Sequence, residues 1–353
     1  MTQIPAAALR TLLVSFARDA GFDSCRVAMC NPPAHATEFR EWLRQGAHGE
    51  MNYMQHGEEK RCDPEKILPG ARSIVALALN YFQGNKAQNG GGAGKIARYA
   101  WGDDYHDVIA AKLEKIDEFL RSFGGRQKCY VDTGPVLERD HGARSGIGWH
   151  GKSTMLIDQR LGTWFFLAEI LTTLELPADE PVTNRCGTCD RCITACPTGA
   201  ITAPNQLDAR LCISYLTIEL KGAIPSELRP LIGNRIFGCD DCLEACPWNR
   251  FAQESRETVF SARRSTTGMS LREYLNLDDA EFRALFKNSP IKRIKRRGFV
   301  RNVCVALGNV GDKFDLPALE RAAADPEPII AEHAAWAIAQ IHGRQEQALS
   351  EIV

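Results

Sequence analysis

The chain has 353 residues, 44% of them hydrophobic and 25% charged, with 43 basic against 44 acidic side chains. That length and composition ask for two or three domains with real cores and exclude a disordered or low-complexity protein. A net charge of −1 excludes a general attraction to polyanions, so any affinity for nucleic acid must come from a local patch.

The opening residues lack a basic segment and a cleavage site, and Leu9, Leu12, Leu13, Phe16, Ala17 and Ala20 fall instead at the spacing of an amphipathic helix. The longest apolar runs, such as Ile74 to Leu79, are too short to span a bilayer, so a cytoplasmic chain without membrane contact is expected. An irregular stretch around His48 to Met54 leads to a buried strand at Ile74 to Asn80, then to a Gly-, Gln- and Asn-rich loop over 83–95. Within that loop, Asn89 to Lys95 lacks the first glycine and the closing hydroxyl of a phosphate-binding loop. Val108, Ile109, Leu113, Ile116, Phe119 and Leu120 mark a second helix from Tyr105 to Phe123. Strands are expected at Lys128 to Val131 and over the apolar run Trp164 to Leu174. Residues 1–180 therefore read as one mixed domain, α+β or α/β, and 181–250 as a compact cysteine-rich insert. Residues 251–353 read as a basic helical region, where Val300 to Leu307, Leu316 to Ala323 and Ile329 to Ile341 resemble a HEAT-like repeat pair.

Eight of the 13 cysteines lie in the insert. Cys186-x2-Cys189-x2-Cys192-x3-Cys196-Pro197 has the spacing that ligates cubane clusters in bacterial ferredoxins, where the fourth cysteine serves the other cluster. Cys239-x2-Cys242-x3-Cys246-Pro247 is one cysteine short of the same run, and Cys212 is the natural substitute. One [4Fe-4S] cluster is thus expected on Cys186, Cys189, Cys192 and Cys246, and a second on Cys196, Cys212, Cys239 and Cys242. A pair of zinc ribbons also uses C-x2-C pairs, but explains neither the three-cysteine ladder nor the two Cys-Pro endings. Cys25, Cys30, Cys62, Cys129 and Cys304 read as ordinary buried thiols. Two adjacent clusters form a wire, and a large N-terminal domain at its end points to an enzyme rather than a carrier.

Other signals are weaker. Asp132-Thr133-Gly134 is a single triplet, where aspartic proteases need two carboxylates sharing a proton. Asp132 follows a strand, so it is either a turn former or a carboxylate facing a ligand crevice at the strand's C-terminal end. Gly146 to Ser153 is either a glycine-rich turn or a backbone approach to a ligand with Lys152 as its charge; His106, His141 and His150 carry no ligand signal of their own. The basic run Lys292, Arg293, Lys295, Arg296, Arg297 and Arg301 is either a solvated helix face or a phosphate-binding patch, and helical spacing would align Arg293, Arg296, Arg297 and Arg301.

Several stretches together resemble bacterial epoxyqueuosine reductase: Gly46 to Met54, Arg61-Cys62-Asp63-Pro64, Leu68 to Arg72, Arg98-Tyr99-Ala100, Gly102 to His106, Val131 to Arg139, Gly148 to Lys152 and Cys212 to Glu219, besides both cysteine runs. The resemblance covers nearly the whole chain in order. It implies a cobalamin-binding N-terminal domain, electrons passing from an external low-potential donor through both clusters to cobalamin, and reduction of epoxyqueuosine at the wobble position of tRNAs for Asp, Asn, His and Tyr. It further implies Asp132 as the proton donor while reduced cobalt attacks the epoxide, a carboxyl whose pKa burial would raise. Cofactor contacts are implied at Arg98, Asp132, Trp149, Gly151, Lys152, Ser153 and Ser214; the basic run Lys292 to Arg301 is then expected to grip the anticodon stem-loop, and a monomer is expected because no heptad or long exposed apolar edge appears. His150 and Ser153 depart from the family pattern, which has an aliphatic residue and an asparagine there. No Asp-x-His-x-x-Gly motif is present to ligate cobalt, since Asp104-Tyr105-His106 lacks the glycine. A reductive dehalogenase and a ferredoxin-type electron carrier are the rival readings; the first would carry an export signal, the second no cobalt and no tRNA affinity.

Overall fold

A computed structural model describes residues 4–84 and 93–350, with the side chains of 348 and 349 left aside. Most of the glycine-rich loop, including residues 89–92 of the Asn89 to Lys95 run, lies outside the described residues. The organising element is a four-stranded sheet made by β1 (Ser24–Met29), β2 (Ser73–Asn80), β3 (Gln127–Tyr130) and β4 (Phe165–Thr172) in the order β1-β2-β4-β3. Every pairing is antiparallel, with Val27 opposite Val75, Val75 opposite Ile170, and Cys129 opposite Ile170. The N-terminal part is therefore of the α+β kind, and the crevice geometry of a parallel α/β sheet does not apply to it.

All eight residues of β2 are buried, because both faces of the sheet are covered. Val75, Leu77 and Leu79 point to one face, where they meet Leu9 and Leu13 of α1 (Ala6–Asp19) and Ile109, Leu113 and Ile116 of α2 (Tyr105–Arg121). Ile74, Ala76 and Ala78 point to the other, towards Val136, Ile147 and α3 (Glu138–Arg144). Side chains alternating along a strand give this two-sided core directly. The expected α1 stripe is trimmed at one position, since Leu12 is exposed.

The three sequence regions interlock. Lys95–Ile96 pairs in parallel with Arg235–Phe237 of the cysteine insert, and Ile96, Ala100 and Trp101 join Phe237, Tyr274, Phe286 and Phe299 in one core. The chain after the insert returns to the sheet, where Ser255 N–H donates to the Phe82 carbonyl at 2.7 Å and Asn80 Nδ2 donates to the Gln253 carbonyl at 2.8 Å. The C-terminal region is helical at Lys295–Val310, Leu316–Ala323 and Pro328–Ser350. Among the described residues no helix is long and apolar enough to cross a membrane.

Gly49 shows how local sequence joins the parts. Its φ of 59° is left-handed, and a Cβ there would lie 2.4 Å from the Tyr215 hydroxyl. Only glycine gives both at no cost. The close approach lets Glu50 N–H donate to the Tyr215 hydroxyl at 2.8 Å, while Glu50 Oε2 accepts the Lys221 N–H at 2.9 Å.

Candidate functional site

All 13 cysteines are free thiols. Cys246 lies in the electrostatic neighbourhood of Cys186, Cys189 and Cys192. Cys242 lies in that of Cys212 and Cys196, and Cys239 in that of Cys242. These are the two sets expected from the spacing, and the turns at Arg191–Thr194 and Asp241–Glu244 that carry them pack together. Four convergent thiols in each set fit a cubane cluster. Cys242 also senses Cys192, so the sets adjoin. The remaining thiols divide: Cys25, Cys62 and Cys304 are buried, whereas Cys30 and Cys129 are half-buried.

The two sets differ in what they face. A cavity of about 2570 Å³ is lined by all four cysteines of the second set and by none of the first. The first set instead sits under the exposed 181–191 segment. Asp132 lines the same cavity, just beyond β3.

Asp132 is held in a left-handed conformation, φ 57°, which a non-glycine residue adopts only when its surroundings dictate it. Its N–H donates to Glu138 Oε1 at 2.7 Å, and its Oδ2 accepts the Tyr105 hydroxyl at 2.6 Å, with His106 Nε2 at 3.7 Å. Asp104 caps α2 by accepting the His106 N–H, and its Oδ1 lies 2.7 Å from His106 Nδ1. The cap places Tyr105 and His106 on the first turn, aimed at Asp132. Desolvation pushes the Asp132 carboxyl up, but the His106 imidazole 3.7 Å away and the hydrogen bond from Tyr105 outweigh it and hold the pKa below the ordinary value. This corrects the expectation of a burial-raised Asp132: the resting group is a carboxylate. Burial works against charge on His106 too, yet Asp104 and Asp132 raise it to about 9, so the proton rests on the imidazole. Glu138 is pushed upward by burial and by the Asp132 charge, and stays protonated near neutrality.

The residues expected around a cofactor separate. Ser153, buried, and Ser214 line the cavity with Asp132; Arg98, Trp149, Gly151 and Lys152 do not. The Arg98 guanidinium stacks among Phe82, Trp101 and Trp164, 5.0–5.6 Å from their centroids, and donates to the Gly84 carbonyl at 2.6 Å. Trp149 is buried edge-on to Trp248. Asn205 ties down the backbone of Gly151 and Lys152 from the insert. These four shape the wall from behind.

The basic run is broken. Pro290–Ile294 is a 3-10 turn, and Lys295, at φ 57° and ψ 170°, reverses the chain before the helix begins. Helical spacing across that break fails, and the arginines part company. Arg301 is 1% exposed and donates to the Leu216, Leu220 and Gly222 carbonyls at 2.8 Å, so it is internal and cannot meet a phosphate. Arg296 pairs with Asp325 at 2.6 Å and donates to the Leu277 carbonyl. Lys292, Arg293 and Lys295 line the cavity mouth, Arg293 paired with Glu219 at 2.8 Å, and Arg297 remains exposed beside them.

Thiols in two adjoining sets, the inner one opening on a cavity that also holds a constrained carboxylate–imidazole pair, define an iron–sulfur oxidoreductase. Residues 185–249 match the model of a 4Fe-4S double cluster binding domain, and residues 61–133 that of epoxyqueuosine reductase QueG, DUF1730. The chain is 44% identical to an epoxyqueuosine reductase of Xanthomonas campestris over 349 residues, 96% of each chain. It is 39% identical to that of Escherichia coli K12 over 344 residues, 94% of this chain and 89% of the relative. A crystal structure of epoxyqueuosine reductase with an epoxyqueuosine-modified tRNA-Tyr stem loop superposes with a TM-score of 0.88 at 32% identity, covering 95% of this chain and 90% of that one. The Bacillus subtilis enzyme, in a structure with its catalytic aspartate loop swung out of the active site, gives 0.85 at 31% identity over 95% and 90%. The chain belongs to the epoxyqueuosine reductase family, oxidoreductases that reduce epoxyqueuosine to queuosine.

Proposed function

We propose that the chain performs this reduction on tRNA, with electrons entering at the outer cysteine set, leaving the inner set into the cavity, and Asp132 delivering the proton to the opening epoxide. The observation that carries the reading is that one cavity is shared by the four inner cysteines and by Asp132. Its volume, about 2570 Å³, is well beyond the roughly 300–1,000 Å³ of ordinary ligand sites. A macrocyclic cofactor and a nucleoside fit there together. Apolar Val131, Pro135 and Met155 stand beside the Ser153 and Ser214 hydroxyls on its wall, a mixture suited to the amide-fringed face of cobalamin. When bound, cobalamin supplies a strongly reducing, nucleophilic metal. The chain's own residues then do the rest.

His106, carrying the proton at rest, hands it through Asp132, whose hydrogen bond from Tyr105 keeps the carboxylate aimed while it waits. Glu138 fixes the Asp132 backbone by accepting its N–H. Lys292, Arg293 and Lys295 at the mouth meet the phosphates of an anticodon stem-loop, with Arg297 alongside. A pure electron carrier would need neither the cavity nor a strained carboxylate at its far wall. A cytosolic monomer supplied by an external low-potential donor completes the reading.

Anaerobic protein supplied with cobalamin should hold about eight irons and one cobalt per chain, and should turn over a stem-loop containing epoxyqueuosine. Asp132→Asn should keep both metals and lose roughly 10²- to 10⁴-fold in turnover, the range of a general acid. Unchanged turnover in that variant removes Asp132 from the mechanism, and an absence of cobalt uptake removes cobalamin.

A further inference from the structure

On the wall of the cavity three side chains from separate segments converge. His35 precedes the Ala36–Arg44 helix, Asp140 lies in α3, and His150 lies in the short strand Trp149–His150. Their ligand atoms all fall within 4.8 Å of one another, and all three residues line the cavity. Asp140 Oδ1 is 2.5 Å from His35 Nδ1 and 3.3 Å from His150 Nε2, and the two rings meet edge to face at 5.1 Å. We propose that these residues bind a divalent d-block ion such as Zn²⁺, on a ligand set distinct from the cluster cysteines.

Ligand type and spacing support this. Two imidazoles and one carboxylate form a common three-ligand set that leaves a coordination position open, and here the open side is the cavity. With Zn–N near 2.0–2.1 Å and Zn–O near 2.0–2.2 Å, tetrahedral ligand atoms lie about 3.4 Å apart. The Asp140–His150 separation already has that value, and the His35 contact needs to open by about 1 Å. His35 can provide it, since 57% of its side chain is exposed. Asp140 is already oriented, being nearly fully buried and with its other oxygen accepting the His35 backbone N–H at 3.1 Å. Anchoring of the second carboxylate oxygen is what orients ligands in built metal sites. His150 Nε2 is buried and makes no other hydrogen bond, and the His150 carbonyl is held by Asn184 Nδ2 at 2.9 Å. Without an ion, two imidazoles compete for one carboxylate oxygen; with one, each has its own bond.

The position gives the ion a consequence. Glu138, two residues before Asp140, is the group that accepts the Asp132 N–H. An ion clamping Asp140 to His35 and His150 would fix the base of the loop that carries Asp132.

The test is equilibrium dialysis of Zn²⁺ against anaerobic, cluster-loaded protein, with iron measured in the same samples, comparing wild type with His35→Gln and His150→Leu. His35 is exposed, so its variant is safe for folding, and the visible absorption of the clusters checks both. One zinc per wild-type chain, with iron unchanged and affinity at least tenfold weaker in both variants, is the expected result, with a zinc-dependent rise in Tm seen only in wild type. Equal zinc binding by all three proteins, or none by wild type, overturns the site. Zinc uptake that tracks iron loss places the metal on the cluster thiols and overturns it as well. No readout depends on turnover, so the result is independent of the reaction proposed above.

Discussion

Arg301 separates a phosphate-binding reading of the basic run from a structural one. Its guanidinium, with the side chain of its neighbour Asn302, clamps the segment between two ligands of the inner cysteine set. Arg301 holds the Leu216, Leu220 and Gly222 carbonyls, and Asn302 Nδ2 holds those of Thr217 and Ile236. Arg301→Met keeps much of the volume of the side chain and removes its donors. The buried Leu216 carbonyl and Asn302 Oδ1 lose a donor at about 1–3 kcal/mol each, and the half-buried Leu220 and Gly222 carbonyls lose less. Relief from burying a cation without a carboxylate partner offsets part of that loss, leaving a net cost of about 3–5 kcal/mol. At about 2.1 cal/mol/K per residue, 353 residues give a melting entropy near 0.7 kcal/mol/K, so Tm should fall by about 4–7 °C. Thermal melts of cluster-loaded protein measure this, and stem-loop affinity against salt concentration is measured beside them. The salt slope should not change. A Tm within a degree of wild type, with a slope reduced by about one, would falsify the structural assignment.

Other consequences can be measured directly. His106 is raised to about 9 from its ordinary 6.5, so the stability its charge contributes is fully present below about pH 6.5 and is lost as pH rises through 9. Turnover should therefore decline on an alkaline limb centred near 9, and His106→Gln should abolish that limb; a limb that persists assigns it to another group. Cys246→Ala should remove the outer cluster and Cys212→Ala the inner one, each costing about half the iron; if either variant kept all its iron, the partition would be wrong. Arg293→Gln should weaken stem-loop binding and lower the salt slope by about one, whereas Arg296→Gln should lower Tm and leave the slope alone; the opposite pattern would exchange their roles.

How much of this was legible in the sequence depends on how local the cause is. The cysteine spacing states its chemistry outright, because ligands of a cubane cluster are fixed by short loops. β2 was legible because both of its faces are apolar. β1 was not: its alternation of Cys25, Arg26 and Val27 runs for only three residues before Ala28 breaks it, and its partner strand lies more than forty residues on. The antiparallel order of the sheet is set by such distant pairings and leaves no local mark. The basic run misled for the same reason. Charge density is visible in sequence, but the acceptors that occupy Arg296 and Arg301 come from other segments, and the reversal at Lys295 undoes the helical spacing. Asp132 was identified through family resemblance, yet its protonation is decided by Tyr105 and His106, and by the Asp104 cap that aims them.

Strain in the backbone ties these points together. Asp132, Thr154, Asn205, Asn288 and Lys295 are the non-glycine residues with positive φ among the described residues, and all five line the cavity. Such conformations cost about 1–3 kcal/mol each unless asparagine eases them, so their gathering on one surface requires that surface to be held from several sides. Asn288 shows how. Its carbonyl accepts the Asp104 N–H at 2.9 Å and a bond from Arg263 at 3.1 Å, so the residue next to Ser289, which caps the basic turn, also steadies the Asp104 backbone. Lys295 closes that turn in a region open almost only to glycine, which leaves Lys292 and Arg293 on a short, fixed 3-10 segment rather than a flexible arm. A cationic rim fixed in this way would bind a phosphate without first losing chain entropy, and the Asn288 carbonyl ties its backbone to Asp104, the cap of α2. Under the proposed reaction, substrate grip and proton delivery would rest on two segments joined by the Asn288–Asp104 hydrogen bond.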